Sequence, residues 1–182
     1  MIGGPLLRRR SVLAGFILAT VSFVGPLTAQ SIRYEVVEKK WDANLGTHRA
    51  VVKVAQSADA VRAHLEWRRR DPQPEAKAVV VVDAATGQRV TNTLALNLSA
   101  DAGDVVFQPV SGAGEYFVYF LPGNPGGGSF PSAKYLPPQD SAAAEWKAKL
   151  ASAGAATVVR WEARTEHDRF NEMEIIATRG ES

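Results

Sequence analysis

The chain has 182 residues, no cysteine, and 21 Lys and Arg against 19 Asp and Glu. Without cysteine there is neither a disulfide staple nor thiol chemistry. The basic excess sits at the N-terminus: residues 1–29 carry three Arg and no acid, which leaves 18 basic and 19 acidic residues beyond them. Nucleic-acid binding thereby loses its electrostatic basis, since phosphate recognition needs a basic surface.

Residues 1–29 read as an export signal. Arg8, Arg9 and Arg10 form a basic start, and Ser11 to Val24 is apolar and uncharged. Gly25-Pro26 breaks the run, and Leu27-Thr28-Ala29 supplies a small-residue cleavage site. Arg9-Arg10-Ser11-Val12-Leu13 fits the twin-arginine pattern, and the general secretory pattern fits equally. The apolar run falls short of the ~20 residues a membrane span needs. The expectation is therefore a periplasmic or extracellular protein with no stable membrane span. Residues 30–182 are then one domain, which at that length buries roughly 70% of the surface its unfolded chain exposes.

Short apolar or alternating runs rich in Val, Tyr and Phe follow, parted by turn residues, which is the pattern of strands. Strands are predicted at 32–38, 47–55, 60–67, 78–83, 88–99, 104–110, 115–121, 156–165 and 173–178. Asp83 to Gln88, Ser99 to Asp104 and Ser111 to Gly114 are predicted turns with Gly where a positive φ is needed. Glu115 to Leu121 is apolar on both faces, which predicts a central strand covered on both sides. Pro122 to Pro138 is a Gly/Pro-rich loop, and loops of this length are commonly functional or disordered. Asp140 to Leu150 predicts a short helix capped by Asp140 or Ser141 and ended by Gly154, with Trp146 and Leu150 on one face. The fold class is all-β: an antiparallel, jelly-roll-like β-sandwich with one short excursion helix.

Chemistry is sparse. There is no G-x-S-x-G elbow, and His48, His64 and His167 lack a metal-binding spacing. Asp101 and Asp104 around Gly103 read as a turn rather than a calcium loop. No cofactor, metal site or catalytic residue is assigned. Trp67 with the run Arg68-Arg69-Arg70, and Phe130, Lys134 and Tyr135 in the long loop, are the candidates for ligand binding or a domain interface. Arginine forks bind carboxylates, aromatic rings stack on sugars, and loop positions are less committed to packing. Trp41 and Trp161 are further candidate stacking faces.

Three stretches carry a resemblance: Thr47-His48-Arg49-Ala50-Val51-Val52, Trp67-Arg68-Arg69-Arg70-Asp71, and Pro109-Val110-Ser111-Gly112-Ala113-Gly114-Glu115-Tyr116-Phe117-Val118-Tyr119. So do Lys134-Tyr135-Leu136-Pro137-Pro138 and Phe170 to Thr178. Together they resemble the N-terminal domain of family 123 glycoside hydrolases. The resemblance implies a β-sandwich ahead of a catalytic (β/α)-barrel that acts on terminal β-linked N-acetylgalactosamine. There the substrate's acetamido group is the nucleophile, assisted by an adjacent Asp-Glu pair. No two acids are adjacent in this sequence, so that pair has no counterpart here. The expected role is a non-catalytic accessory domain partnered by a barrel absent from this chain, with an exposed apolar patch where the barrel docks. The alternative is a free-standing exported carbohydrate-binding or envelope interaction module. A third reading, an enzyme in its own right, would need scattered acids such as Glu66, Asp83, Glu162 and Glu174.

Overall fold

The computed structural model describes residues 1, 33–67, 69, 71–124 and 134–166, and all of these except Met1 belong to the unit Ser31–Ser182. In chain order the elements are β1 (Arg33–Val36), β2 (His48–Val54), β3 (Val61–Glu66), β4 (Val80–Asp83), β5 (Thr93–Leu96), β6 (Ala102–Phe107), β7 (Gly114–Tyr119), β8 (Gly123–Asn124), β9 (Lys134–Tyr135), α1 (Ala144–Lys147) and β10 (Gly154–Ala163). The predicted strand at 173–178 lies outside the described residues.

Eight strands form one sheet in the order β4-β7-β2-β10-β3-β6-β5, with β1 added beside β10. The all-β class stands, and the pairing is mixed: β1 and β3 both run parallel to β10, while the other pairs are antiparallel. β3 shows the two-residue period directly, with Val61, Ala63 and Leu65 buried and Arg62, His64 and Glu66 exposed. β10 breaks that period. A register shift between Val158 and Arg160 lets both Val158 and Trp161 face the core.

The sheet curls until its two arms face each other. β6 and β7 are separated by three strands in the order, yet the Phe107 and Tyr116 rings lie 5.0 Å apart. Trp67, just past β3, stacks at 5.3 Å on Phe120, just past β7. The seam between the outermost strands β4 and β5 is bridged at one end by Val82 and Arg89. Elsewhere it is strapped by residues 136–143, through Ala78 N–H to Leu136 O (2.8 Å), Ser141 Oγ to Thr91 O (2.9 Å) and Ala143 N–H to the Asn92 side-chain oxygen (2.8 Å). Pro137 and Pro138 lack the N–H a ladder needs, so the strap does not complete the sheet as a strand.

Several sequence expectations change here. The predicted strand 88–99 shortens to Thr93–Leu96, because Arg89 pairs back onto β4. The helix shrinks to Ala144–Lys147 plus a 3₁₀ turn at Leu150–Ser152. Its N-cap is Ala143 without a side-chain bond: Ser141 is engaged at Thr91, and Asp140 pairs with Lys147 at 2.6 Å. Gly154 opens β10 rather than ending the helix. The loop 122–138 carries a two-residue hairpin, β8 with β9, at its ends. Two of the predicted turns hold, with Gly87 at φ +72° and Gly112 at +74°, whereas the third closes earlier: Gly103 and Asp104 already lie in β6, and the positive φ falls on Asn97.

Candidate functional site at the loop-bearing end

The register sorts the connections to two ends of the sheet. Ala163 lies opposite His48, Tyr119 opposite Val80, and Glu66 opposite Ala102. β1, β3, β5, β7 and β10 therefore finish at one end, where β2, β4 and β6 begin. That end carries the connections 37–47, 67–79 and 97–101 and the start of the long segment after Tyr119. The opposite end carries 55–60, 84–92 and 108–113. Two sequence segments singled out separately, the corner after Trp67 and the loop with Lys134 and Tyr135, thus share the end from which the chain leaves β10.

At that end Trp67 is 3% exposed, and its indole N–H donates to Ser99 O at 2.9 Å. Gly103 makes room for it, since a Cβ there would stand 2.6 Å from the Trp67 ring. Arg69 is buried as well, donating to both carboxylate oxygens of Asp71 at 2.8 and 2.7 Å with its guanidinium 5.2 Å from the Trp67 ring. The carboxylate that Arg69 forks is thus two residues away in its own chain. Tyr135 is partly buried against the core and Lys134 is exposed. Arg68, Arg70 and Phe130 lie outside the described residues. Of the further stacking candidates, Trp161 is buried in the core, and Trp41 is half-buried with its N–H on Gly46 O.

Sequence reasoning passed over a charged lattice on the outer face of β2, β7 and β10. The Arg49 guanidinium lies 3.5 Å from the centre of the Phe117 ring and 4.4 Å from that of Trp41. It donates to Glu162 at 2.6 Å and to the Tyr119 hydroxyl at 2.9 Å. Arg160 joins Glu162 (2.7 Å) to Glu115 (3.0 Å), crossing β2. The second apolar face of β7 is therefore covered, as the sequence predicted, by an arginine and a tryptophan, although β7 lies one strand in from the edge rather than at the centre. Arg160's hydrogen bonds hold the Glu115 carboxyl below the ordinary carboxylate range. Burial raises the Tyr119 hydroxyl against the opposing pull of Arg49.

On the wall of the sheet lies a cleft. β3 pairs with β10 only over Gly154–Ala156, and β1 takes over beside Arg160–Ala163. The split leaves about 220 Å³ lined by His64, Glu66, Ala156, Thr157, Val158 and Trp161. His64 Nδ1 lies 2.9 Å from Asp104, whose other oxygen accepts from Asn97 at 2.8 Å. Hydrogen bonds from Asn97 and then His64 lower the Asp104 carboxyl. Asn97 takes a left-handed φ of +53°, which Asn tolerates better than most residues. A second hollow, about 240 Å³ at the β4–β5 seam, has Val79, Leu94, Leu98 and Pro138 in its wall and Glu75, Lys77 and Asp140 among its lining groups.

The acids named for an independent enzyme do not converge. Glu162 is fixed between Arg49 and Arg160. Burial pushes Asp83 up, but bonds from Ser111, Thr86 and Ala85 outweigh it, so Asp83 ends below its ordinary range while holding the turn. Glu66 stands at the cleft, and Glu174 lies outside the described residues. Among the described residues no three His, Asp or Glu side chains are placed to hold a metal ion, and no helix is long and apolar enough to cross a membrane. Within Ser31–Ser182 the large hydrophobic side chains exposed among the described residues are Val110, in the connection 108–113, and Leu136, in the strap.

These features define an all-β domain of one curled, mixed sheet whose buried acids are bound into the fold. A family model described as glycoside hydrolase 123, N-terminal domain, matches residues 39–164. The chain belongs to that family. No curated protein and no solved structure matches it.

Proposed function

We propose that the chain is a non-catalytic accessory domain that supports and positions a catalytic (β/α)-barrel acting on terminal β-linked N-acetylgalactosamine. We place it in the periplasm or outside the cell, on the strength of the export signal at 1–29. The observation that carries the reading is the family match over residues 39–164. The commitment of Asp71, Asp83 and Glu162 to partners within the fold agrees with it, since glycoside hydrolysis needs acids free to move a proton or stabilise a cation. The loop-bearing end is the face such a barrel would meet, because β10 delivers the chain there.

The test is to assay an aryl N-acetyl-β-galactosaminide with residues 30–182 alone, with a family 123 barrel alone, and with both. The expected result is no release by the domain alone and a barrel that is more heat-stable in its presence. Chromophore release by the domain alone, or a barrel indifferent to it, overturns the proposal. The alternative of a free-standing carbohydrate-binding module draws its support from the β3–β10 cleft.

A further inference from the structure

We infer that the split between β3 and β10 is a binding site for one neutral pyranose ring; the choice of a sugar rests on the glycoside-hydrolase reading above. The cleft is about 220 Å³, room for a handful of waters at ~30 Å³ each and so for one ring rather than a buried chain. Its polar groups point to the ligand's chemistry. A carboxylate only accepts, so Asp104 places the His64 proton on Nδ1 and leaves Nε2 of the neutral imidazole an acceptor. Glu66 adds an exposed carboxylate without an ion-pair or hydrogen-bond partner among the described residues, and Thr157 adds a hydroxyl. An acceptor-rich lip suits a ligand rich in O–H and N–H donors, and the apolar floor of Ala156 and Val158, with the all but buried Trp161 beneath, suits the C–H face of a ring. The Asn97–Asp104–His64 chain fixes the imidazole before any ligand arrives, which lowers the ordering cost of binding. The two acids near the cleft disfavour an anion.

The experiment is an amide-resolved NMR titration of residues 30–182 with N-acetylgalactosamine, with galactose, and with ethanolamine as a small amine. The expected result is saturable shifts at 64–66 and 156–158 and at the Trp161 indole, with a dissociation constant on the order of 1 mM for a sugar. Glu66→Gln and His64→Ala each weaken it about tenfold, and Lys149→Ala leaves it unchanged. Glu66 holds no partner among the described residues, so the first variant separates lost binding from lost folding. No shift with either sugar, shifts centred on the Tyr135 hairpin, or tighter binding of the amine would each overturn the site. The accessory role is judged separately by the barrel assay, so either can fail without the other.

Discussion

Gly46 turns the chain at φ +89°, and a Cβ added there would stand 2.6 Å from the carbonyl oxygen of Leu121. Both penalties are of backbone, so no side chain can swing away to relieve them. Gly46→Ala is expected to cost about 1–3 kcal/mol, read as a lower urea midpoint with an unchanged slope. Glu162 depends on its neighbours in another way. Its side chain is 5% exposed and bonded to two arginines, Arg49 itself being 11% exposed. Removing one partner from such a cluster strands the others, so Glu162→Ala is expected to cost about 3–5 kcal/mol. If the lattice is the cause, Arg49→Met in the same chain recovers part of that loss in a double-mutant cycle. A loss fully additive with that of Arg49→Met would show that the two side chains act independently.

At the scale of elements, the strands were the most legible part of the sequence, and their partners the least. Alternation in 60–67 and the turn at 83–88 are local signals that the structure keeps, and Ser99 still turns the chain into Ala102 although Gly103 and Asp104 belong to β6. That Arg89 folds back onto β4, or that β10 bulges to bury both Val158 and Trp161, is decided by neighbours far along the chain. The candidate site was legible only in part for the same reason. Trp67 and Arg69 were visible as a charged aromatic corner with Asp71 beside it, but the burial of Trp67 against Phe120 depends on the curl of the sheet. The Arg160–Glu115 pair shows what such long-range contacts add, since it links β10 to β7 across β2. Glu115 has its folded pKa lowered from an ordinary 4.5, so its contribution is full above that value and is lost as pH falls through the lowered one. The urea midpoint should therefore hold from pH ~7 down to the carboxylate range and then fall, and Glu115→Gln should flatten that fall. An identical acid limb in the variant would mean that Glu115 takes no part in it.

For the whole molecule, the last described strand is also the central one. β10 lies between β2 on one side and β3 and β1 on the other, so among the described strands it is the one whose ladder pairs join the two arms of the sheet. Its pairing with β2 closes a loop of about a hundred residues, and contacts of that span make folding slow, on the order of milliseconds to seconds. Until residues 154–163 are present, β4-β7-β2 and β3-β6-β5 are separate three-stranded pieces, and three strands are stable only with a hydrophobic face packed. Two truncations separate this from a general sensitivity to shortening. Residues 30–166 keep every described strand and the whole of the family match, and should unfold cooperatively with the midpoint of 30–182. Residues 30–153 lose ten residues of strand more and should show no cooperative transition and no near-ultraviolet dichroism from Trp67 and Phe120. A cooperative transition in the shorter chain would mean that the two arms hold each other through the Trp67–Phe120 and Phe107–Tyr116 contacts alone, with β10 an addition to a core already formed.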